Sequence, residues 1–104
     1  MLVDFGEPIG TEQAGQRPAV VVSADSLNES KAGVVIMIPL TTARRELPSH
    51  VEIEPGISGL NNISYAKCED IKSISEQRLI VRLGLISYEL RLQISRILRL
   101  WLKL

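Results

Sequence analysis

Ser87 marks a change of period in this chain, and that change narrows the fold more than any other feature. Beyond it, Leu90, Ile94, Ile97, Leu98, Trp101 and Leu104 recur at the three- and four-residue spacing of one helix face. Arg91, Arg96, Arg99 and Lys103 fall largely off that stripe. Ser87 is a good N-cap, and Glu89 lies in the first turn, where the helix dipole favours a carboxylate. Before Ser87 no segment sustains a helical period. Short apolar runs rich in β-branched residues alternate there with Gly, Pro, Asn and Ser. Leu2–Phe5 is a short apolar piece; Ala19–Ser23, Val34–Leu40, His50–Ile53 and Ser64–Cys68 read as strands. Lys72–Ile74 continues the last of these after a polar break. Gly6–Pro18 reads as a long loop, Asp25–Gly33 as turn chemistry with room for one helical turn, and Thr41–Pro48 as a polar loop. Over Arg78–Gly84 the pattern fits a strand and a helical turn equally. Short strands followed by one amphipathic helix predict a mainly β domain: a small barrel or curled antiparallel sheet with the helix against it. The 104 residues suffice for one such domain, 1–104, and not for two.

Composition sets limits on function. Aromatic residues make up 4% of the chain, so Val, Ile and Leu must supply the core. The formal net charge is zero. A strong nucleic-acid binder usually has a basic excess, so any such contact here depends on local clustering. Cys68 is the one cysteine, which excludes an internal disulfide and a cysteine metal cluster and fits a reducing compartment. There is no basic-then-apolar leader and no apolar run of about 18 residues. These features predict a soluble, cytoplasmic protein without a membrane segment.

The common enzyme signatures are missing. The sequence has no GxGxxG, Walker loop, HExxH or CxxC. His50, the one histidine, reads as an ordinary strand-end residue, because nothing at its spacing suggests a partner. The loop-to-strand junctions say more. Pro18 biases Arg17 toward an extended backbone at the mouth of a buried strand. Thr41 and Thr42 stand at the exit of the next one. If those strands pair antiparallel, Arg17 and Thr41 converge at one sheet end. A planar fork of guanidinium donors beside a hydroxyl suits a phosphate or an oxyanion. Arg44 and Arg45 would extend that surface along a polyanion. The plainer alternative pairs Arg17 with Glu12 to fix the loop and makes the threonines turn residues.

The run VDFGEPIGTEQAGQRPAVVVS closely resembles the N-terminal part of the MazF/PemK family of toxin endoribonucleases. The likeness continues through PLTT (Pro39–Thr42), LPSHVEI (Leu47–Ile53), SGL (Ser58–Leu60), AKCEDIKSIS (Ala66–Ser75) and RLGLIS (Arg82–Ser87), so it spans nearly the whole chain. The resemblance implies an SH3-like curled barrel of the CcdB/PemK type, usually a homodimer. It implies cleavage of single-stranded RNA without metal or other cofactor. The RNA's own 2′-hydroxyl attacks, leaving a 2′,3′-cyclic phosphate and a 5′-hydroxyl. It also implies a cognate MazE-like antitoxin whose acidic C-terminal segment blocks the RNA groove.

Residue by residue, the family's motif arginine falls on Arg17, its threonine on Thr41 and its EQ glutamate on Glu12. Some members use a basic and an acidic residue in the strand matching AKCED, here Lys67 and Glu69. Glu12 and Glu69 are thus the candidate bases. Gln13, Thr42, Arg44, Arg45, Lys67 and Lys72 are the candidate RNA contacts. The usual CDQIR is CEDIK here, which puts Asp70 beside the polyanion. The histidine some relatives carry before EQ is Thr11. Members also have about one strand of sequence, close to RGEIW, before the segment matching LVDF, so either the first strand is truncated, which would expose a sheet edge, or the start site is an unusual one. Two other readings share this barrel: a non-catalytic toxin similar to CcdB, which binds DNA gyrase, and a degenerate member that only binds its antitoxin. The coexistence of Glu12, Arg17 and Thr41 favours the nuclease.

Overall fold

β3 (Val34–Thr41) is the spine on which the other strands assemble. It is long and β-branched, and its side chains serve both faces of the sheet. Ile38 and Leu40 point into one apolar cluster; Val35 and Met37 point into another. The computed structural model describes residues 1–6 and 15–104. Around β3 lie β1 (Leu2–Asp4), β2 (Gln16–Val21), β4 (His50–Ile53), β5 (Ser64–Lys67), β6 (Lys72–Ser75) and β7 (Leu79–Val81). A short helix α1 (Asp25–Asn28) joins β2 to β3, and α2 (Tyr88–Trp101) follows β7.

Every strand pairing is antiparallel, in the order β4-β5-β3-β2-β1-β7. β6 pairs with β3 as well. β5 and β6 follow one another along β3, with Leu40 opposite Ala66 and Val35 opposite Ile74. The 3-10 turn Cys68–Asp70 takes up the extra residues between them. The polar break read in the sequence is therefore a bulge in one long strand. Pro39, which has no N–H to offer, falls where β6 has ended and β5 has not yet begun.

Three expectations change. β2 begins at Gln16, so the end of the expected loop is strand, held by β1 with Val3 opposite Arg17. β1 lies between β2 and β7, so the chain start does not form the sheet edge; β4, β6 and β7, each paired on one side, do among the described residues. Arg78–Gly84 resolves into the strand β7, preceded by the 3-10 turn Glu76–Arg78.

The terminal helix forms as its spacing predicts. The Ser87 hydroxyl accepts from the Leu90 N–H at 3.2 Å and caps it. Ile94 is buried against Val20, Ile38, Leu40, Val51, Ile53 and Ala66, with Leu90, Ile97 and Leu98 packed beside it. Trp101 and Leu104 do not join: they are 55% and 78% exposed, because the last turn runs past the sheet. The opposite face holds Val3, Ala19, Val35, Met37 and Ile74. Two glycines explain two of the sequence motifs. A Cβ on Gly59 would stand 1.9 Å from the Leu83 carbonyl oxygen, and one on Gly84 would stand 2.2 Å from that of Ile57. SGL and RLGL thus cross backbone to backbone, and only glycine fits on either side.

Candidate active site

Alternation along the strands decides which side chains share a face. Val35 and Met37 face away from α2, so Thr41, at the same parity on β3, does too. On β2, Ala19 and Val21 face that way, and so does Arg17. The register then lines up one row. Glu52 is opposite Tyr65, Tyr65 opposite Thr41, and Arg17 opposite Val3. Extending the β2–β3 pairing from Ala19 and Pro39 by two residues puts Arg17 beside Thr41. The antiparallel pairing on which that convergence depends is present, with Ala19 opposite Pro39 as its last pair on this side. Arg17 is exposed and Thr41 half-buried. The Thr41 hydroxyl accepts from the Ala43 N–H at 3.1 Å, so it also shapes the turn that leaves β3.

The loop carrying the EQ pair enters and leaves the sheet at one point. Phe5 N–H donates to Gly15 O and Gly15 N–H to Gly6 O, both at 2.9 Å. Gly6 and Gly15 have φ of 74° and 66°, which glycine tolerates and other residues resist. Glu12 and Gln13 lie outside the described residues, as do Gly10 and Thr11.

Glu69 and His50 depart most from the sequence reading. Glu69 opens no free carboxylate to the row. Its Oε1 accepts from the Ser49 hydroxyl at 2.8 Å, and its Oε2 lies 2.9 Å from His50 Nε2. An ionised carboxylate can only accept, so the His50 proton belongs on Nε2. Burial opposes ionisation of Glu69, but a turn N–H, His50 and Ser49 outweigh it and hold the carboxyl below its ordinary value. His50 is therefore no bland strand-end residue: its side chain is 3% exposed and its Nδ1 is buried without a partner. The two lie 19 positions apart, so no spacing rule could pair them.

The basic candidates divide. Lys67, opposite His50 in the register, holds Asp70 at 3.0 Å, so the departure from CDQIR supplies this lysine's counter-ion. Arg44 pairs with Glu46 at 3.2 Å, both largely exposed and so readily parted. Arg45 and Thr42 are exposed on the same turn. Lys72 lies over the Phe5 ring, 5.4 Å from its centre, on the Arg17 face. Among the described residues, no three His, Cys, Asp or Glu side chains gather as metal ligands do. A cleft of about 670 Å3 lies by β2 and α2, lined mostly by apolar residues such as Val20, Val22, Leu40, Ile94 and Leu98, with Arg82 and Arg91 among them. It suits a partner's apolar side chains better than bond-breaking chemistry.

Residues 1–102 match the family model described as PemK-like, MazF-like toxin of type II toxin-antitoxin system. The chain belongs to that family. The endoribonuclease MazF9 of Mycobacterium tuberculosis is 34% identical over 107 residues, covering 98% of this chain and 91% of that protein. The endoribonuclease EndoA of Bacillus subtilis is 35% identical over 77 residues, covering 73% of this chain and 66% of that one. Among solved structures, a mycobacterial endoribonuclease in complex with its cognate antitoxin matches with a TM-score of 0.79 at 25% identity, over 99% of this chain and 89% of that one. MazF from Deinococcus radiodurans matches with a TM-score of 0.80 over 99% of this chain and 91% of that one. At 22% identity that likeness speaks for the fold. The curled antiparallel sheet with a C-terminal helix is thus the PemK-like, MazF-like fold, and Arg17 and Thr41 occupy neighbouring strands within it. No helix among the described residues is long and apolar enough to cross a membrane.

Proposed function

We propose that this chain is the endoribonuclease toxin of a type II toxin–antitoxin system, acting in the cytoplasm on single-stranded RNA. The observation that carries the reading is the antiparallel pairing of β2 with β3, whose register, carried two residues beyond Ala19 and Pro39, leads to Arg17 and Thr41, in a chain whose family is one of toxins. The 2′-hydroxyl loses its proton to a base and attacks the neighbouring phosphorus. The bond to the 5′-oxygen breaks, and that oxygen takes up a proton. The products are a 2′,3′-cyclic phosphate and a 5′-hydroxyl.

Arg17 directs its fork of donors at the phosphorane oxygens, where negative charge grows in the transition state. A guanidinium is a poor proton donor, which makes Arg17 an electrostatic stabiliser first and a general acid only second. Thr41 positions a non-bridging oxygen. Glu69 would have to give up Ser49 or His50 to act as the base, and its lowered pKa weakens it for that task. Glu12 is the better candidate, carried by the loop pinned at Gly6 and Gly15, two residues from Arg17. Gln13, Thr42, Arg44, Arg45 and Lys72 supply RNA contacts around this centre, and Lys67 does so to the extent that Asp70 releases it. The partner is a cognate antitoxin with an acidic C-terminal segment. The active form is a homodimer, for which the exposed Leu100, Trp101, Leu102 and Leu104 offer apolar surface.

The test is cleavage of end-labelled single-stranded RNA in excess EDTA, with both new ends mapped. Cleavage leaving a cyclic phosphate and a 5′-hydroxyl supports the mechanism. A folded dimer that cuts no RNA moves the reading to a toxin or relic that only binds.

A further inference from the structure

The reactive row does not stop at Thr41. Beyond it stand Tyr65 on β5 and Glu52 on β4, each directly opposite its neighbour. Directly opposed residues in an antiparallel pair have Cβ atoms about 5 Å apart. Tyr65 is thus next to Thr41 on the side away from Arg17, and Glu52 is next again. The mechanism uses neither. Tyr65 is one of two tyrosines in a chain poor in aromatics, yet it is half-buried on the working face and not in a core. Neither its hydroxyl nor the exposed Glu52 carboxylate makes a hydrogen bond or ion pair among the described residues.

Glu52 poses a physical problem. A carboxylate two positions from a phosphate site repels the backbone it lies beside. The basic side chains two positions along on the same two strands are engaged elsewhere, Lys67 with Asp70 and His50 with Glu69. Such a charge is useful where it meets a base edge rather than a phosphate. Single-stranded RNA offers that pattern: a splayed base stacks on an aromatic ring and presents its N–H groups to an acceptor.

We propose that Tyr65 and Glu52 form a base-recognition subsite for the nucleotide beside the scissile phosphate. The inference rests on the reading of Arg17 and Thr41 as the phosphate site. The Tyr65 ring stacks the base. The Glu52 carboxylate accepts from its amino group. Guanine fits best, because its N1–H and amino group form two parallel donors. Adenine and cytosine offer one amino group each. Uracil flanks its single N–H with two carbonyl oxygens, which a carboxylate repels. A site built to accept from a donor discriminates against a base that presents acceptors there.

The test compares wild type, Tyr65→Phe, Tyr65→Ala and Glu52→Gln on an RNA pool randomised around the cut. Glu52→Gln keeps the side-chain shape and adds a donor. It is expected to shift the preference for amino-bearing bases over uracil by about tenfold at one position only. Tyr65→Ala is expected to lower kcat/KM about fivefold or more, the loss of one stacked base. Tyr65→Phe keeps the ring and is expected to recover most of the kcat/KM that Tyr65→Ala loses. A parallel binding measurement uses the same oligonucleotides with a 2′-O-methyl group at the cut position, which bind without reacting. If the wild type cleaves and the Glu52→Gln and Tyr65→Ala profiles match it, the subsite is overturned. If the wild type cleaves nothing but binding still favours amino-bearing bases and loses that preference in Glu52→Gln, the nuclease reading fails and the subsite stands. If neither cleavage nor base-dependent binding is seen, both fail.

Discussion

Two polar groups on this sheet look like chemistry, and they are built in opposite ways. Ser49, His50 and Glu69 close on one another: both carboxylate oxygens are engaged and the imidazole is nearly out of solvent. Arg17, Thr41, Tyr65 and Glu52 lie in a line across four strands, open to solvent along one face. The first arrangement spends its hydrogen-bonding capacity inside the protein. It ties the start of β4 to the turn between β5 and β6, and thereby holds the strand that carries Glu52 and the strand that carries Tyr65. In the second, Tyr65 is half-buried and Glu52 exposed, and the Thr41 hydroxyl also holds the Ala43 N–H. A triad-like set of residue types thus engages itself, while the proposed working row matches no enzyme signature.

The sharpest way to break this comparison is Arg17→Ala. Removing one preorganised donor from a developing oxyanion costs about 10²–10³ in rate in comparable sites. Cleavage should fall by at least that factor in a variant that still unfolds in one cooperative transition. Near-normal cleavage would sink the assignment of the row. Thr41→Ala is expected to lose about tenfold, since a neutral hydrogen bond contributes about 0.5–1.5 kcal/mol. Its loss should appear in kcat on a cleavable RNA, and a small stability change should accompany loss of the turn contact to Ala43.

His50→Ala tests the other half. It leaves Glu69 Oε2 without its partner, a loss of about 1 kcal/mol because the carboxylate is one-third exposed and water can replace the imidazole. Urea unfolding should show that loss while kcat changes by no more than a few-fold. A collapse of kcat in a variant that still folds would make the cluster catalytic. The pH dependence adds a second check. The folded Glu69 carboxyl lies below its ordinary value, so its stabilising contribution is present above the ordinary carboxylate range and is lost as pH falls through the folded pKa. The stability gap between wild type and His50→Ala should therefore narrow as the solution is acidified.

Much of this was legible in the residues themselves, for local reasons. The α2 period, the Ser87 cap and the β-branched run of β3 are signals carried by neighbours in sequence and form at the positions they mark, while β2 is shifted to Gln16–Val21 from the expected Ala19–Ser23. The inference about Arg17 and Thr41 rested on antiparallel pairing of β2 with β3, and that pairing is present. What stayed hidden depends on distant register. His50 meets Glu69 only because β4 pairs β5 with Val51 opposite Ala66 and a 3-10 turn follows at Cys68. Tyr65 and Glu52 were missed for the same reason: alternation gives their face, but only the pairing of three strands sets them beside Thr41. The exposed end of the α2 stripe had the opposite fault. Its period is as clean as that of the buried part, and sequence spacing does not say where the sheet beneath it ends.

Cys68 is the smallest lever on the comparison and a useful one, because it sits beside Glu69 of the closed cluster without belonging to the row. It is buried in the cluster under α2, and burial, with Glu69 next to it, pushes its thiol up to about 11. The thiol is thus protonated and inert at neutral pH. Cys68→Ala should leave cleavage unchanged and lower stability by about 1 kcal/mol, the transfer cost of one small buried group. The stability that wild type owes to this buried thiol is whole below the ordinary cysteine range and is lost as pH rises through about 11, where the folded thiol ionises. A thiol reagent at pH 8 should react with the native protein only as fast as it opens, and at the free-thiol rate once it is unfolded in urea. Rapid labelling of the folded chain, or loss of cleavage in Cys68→Ala, would mean that the closed cluster communicates with the row through the core that both rest on.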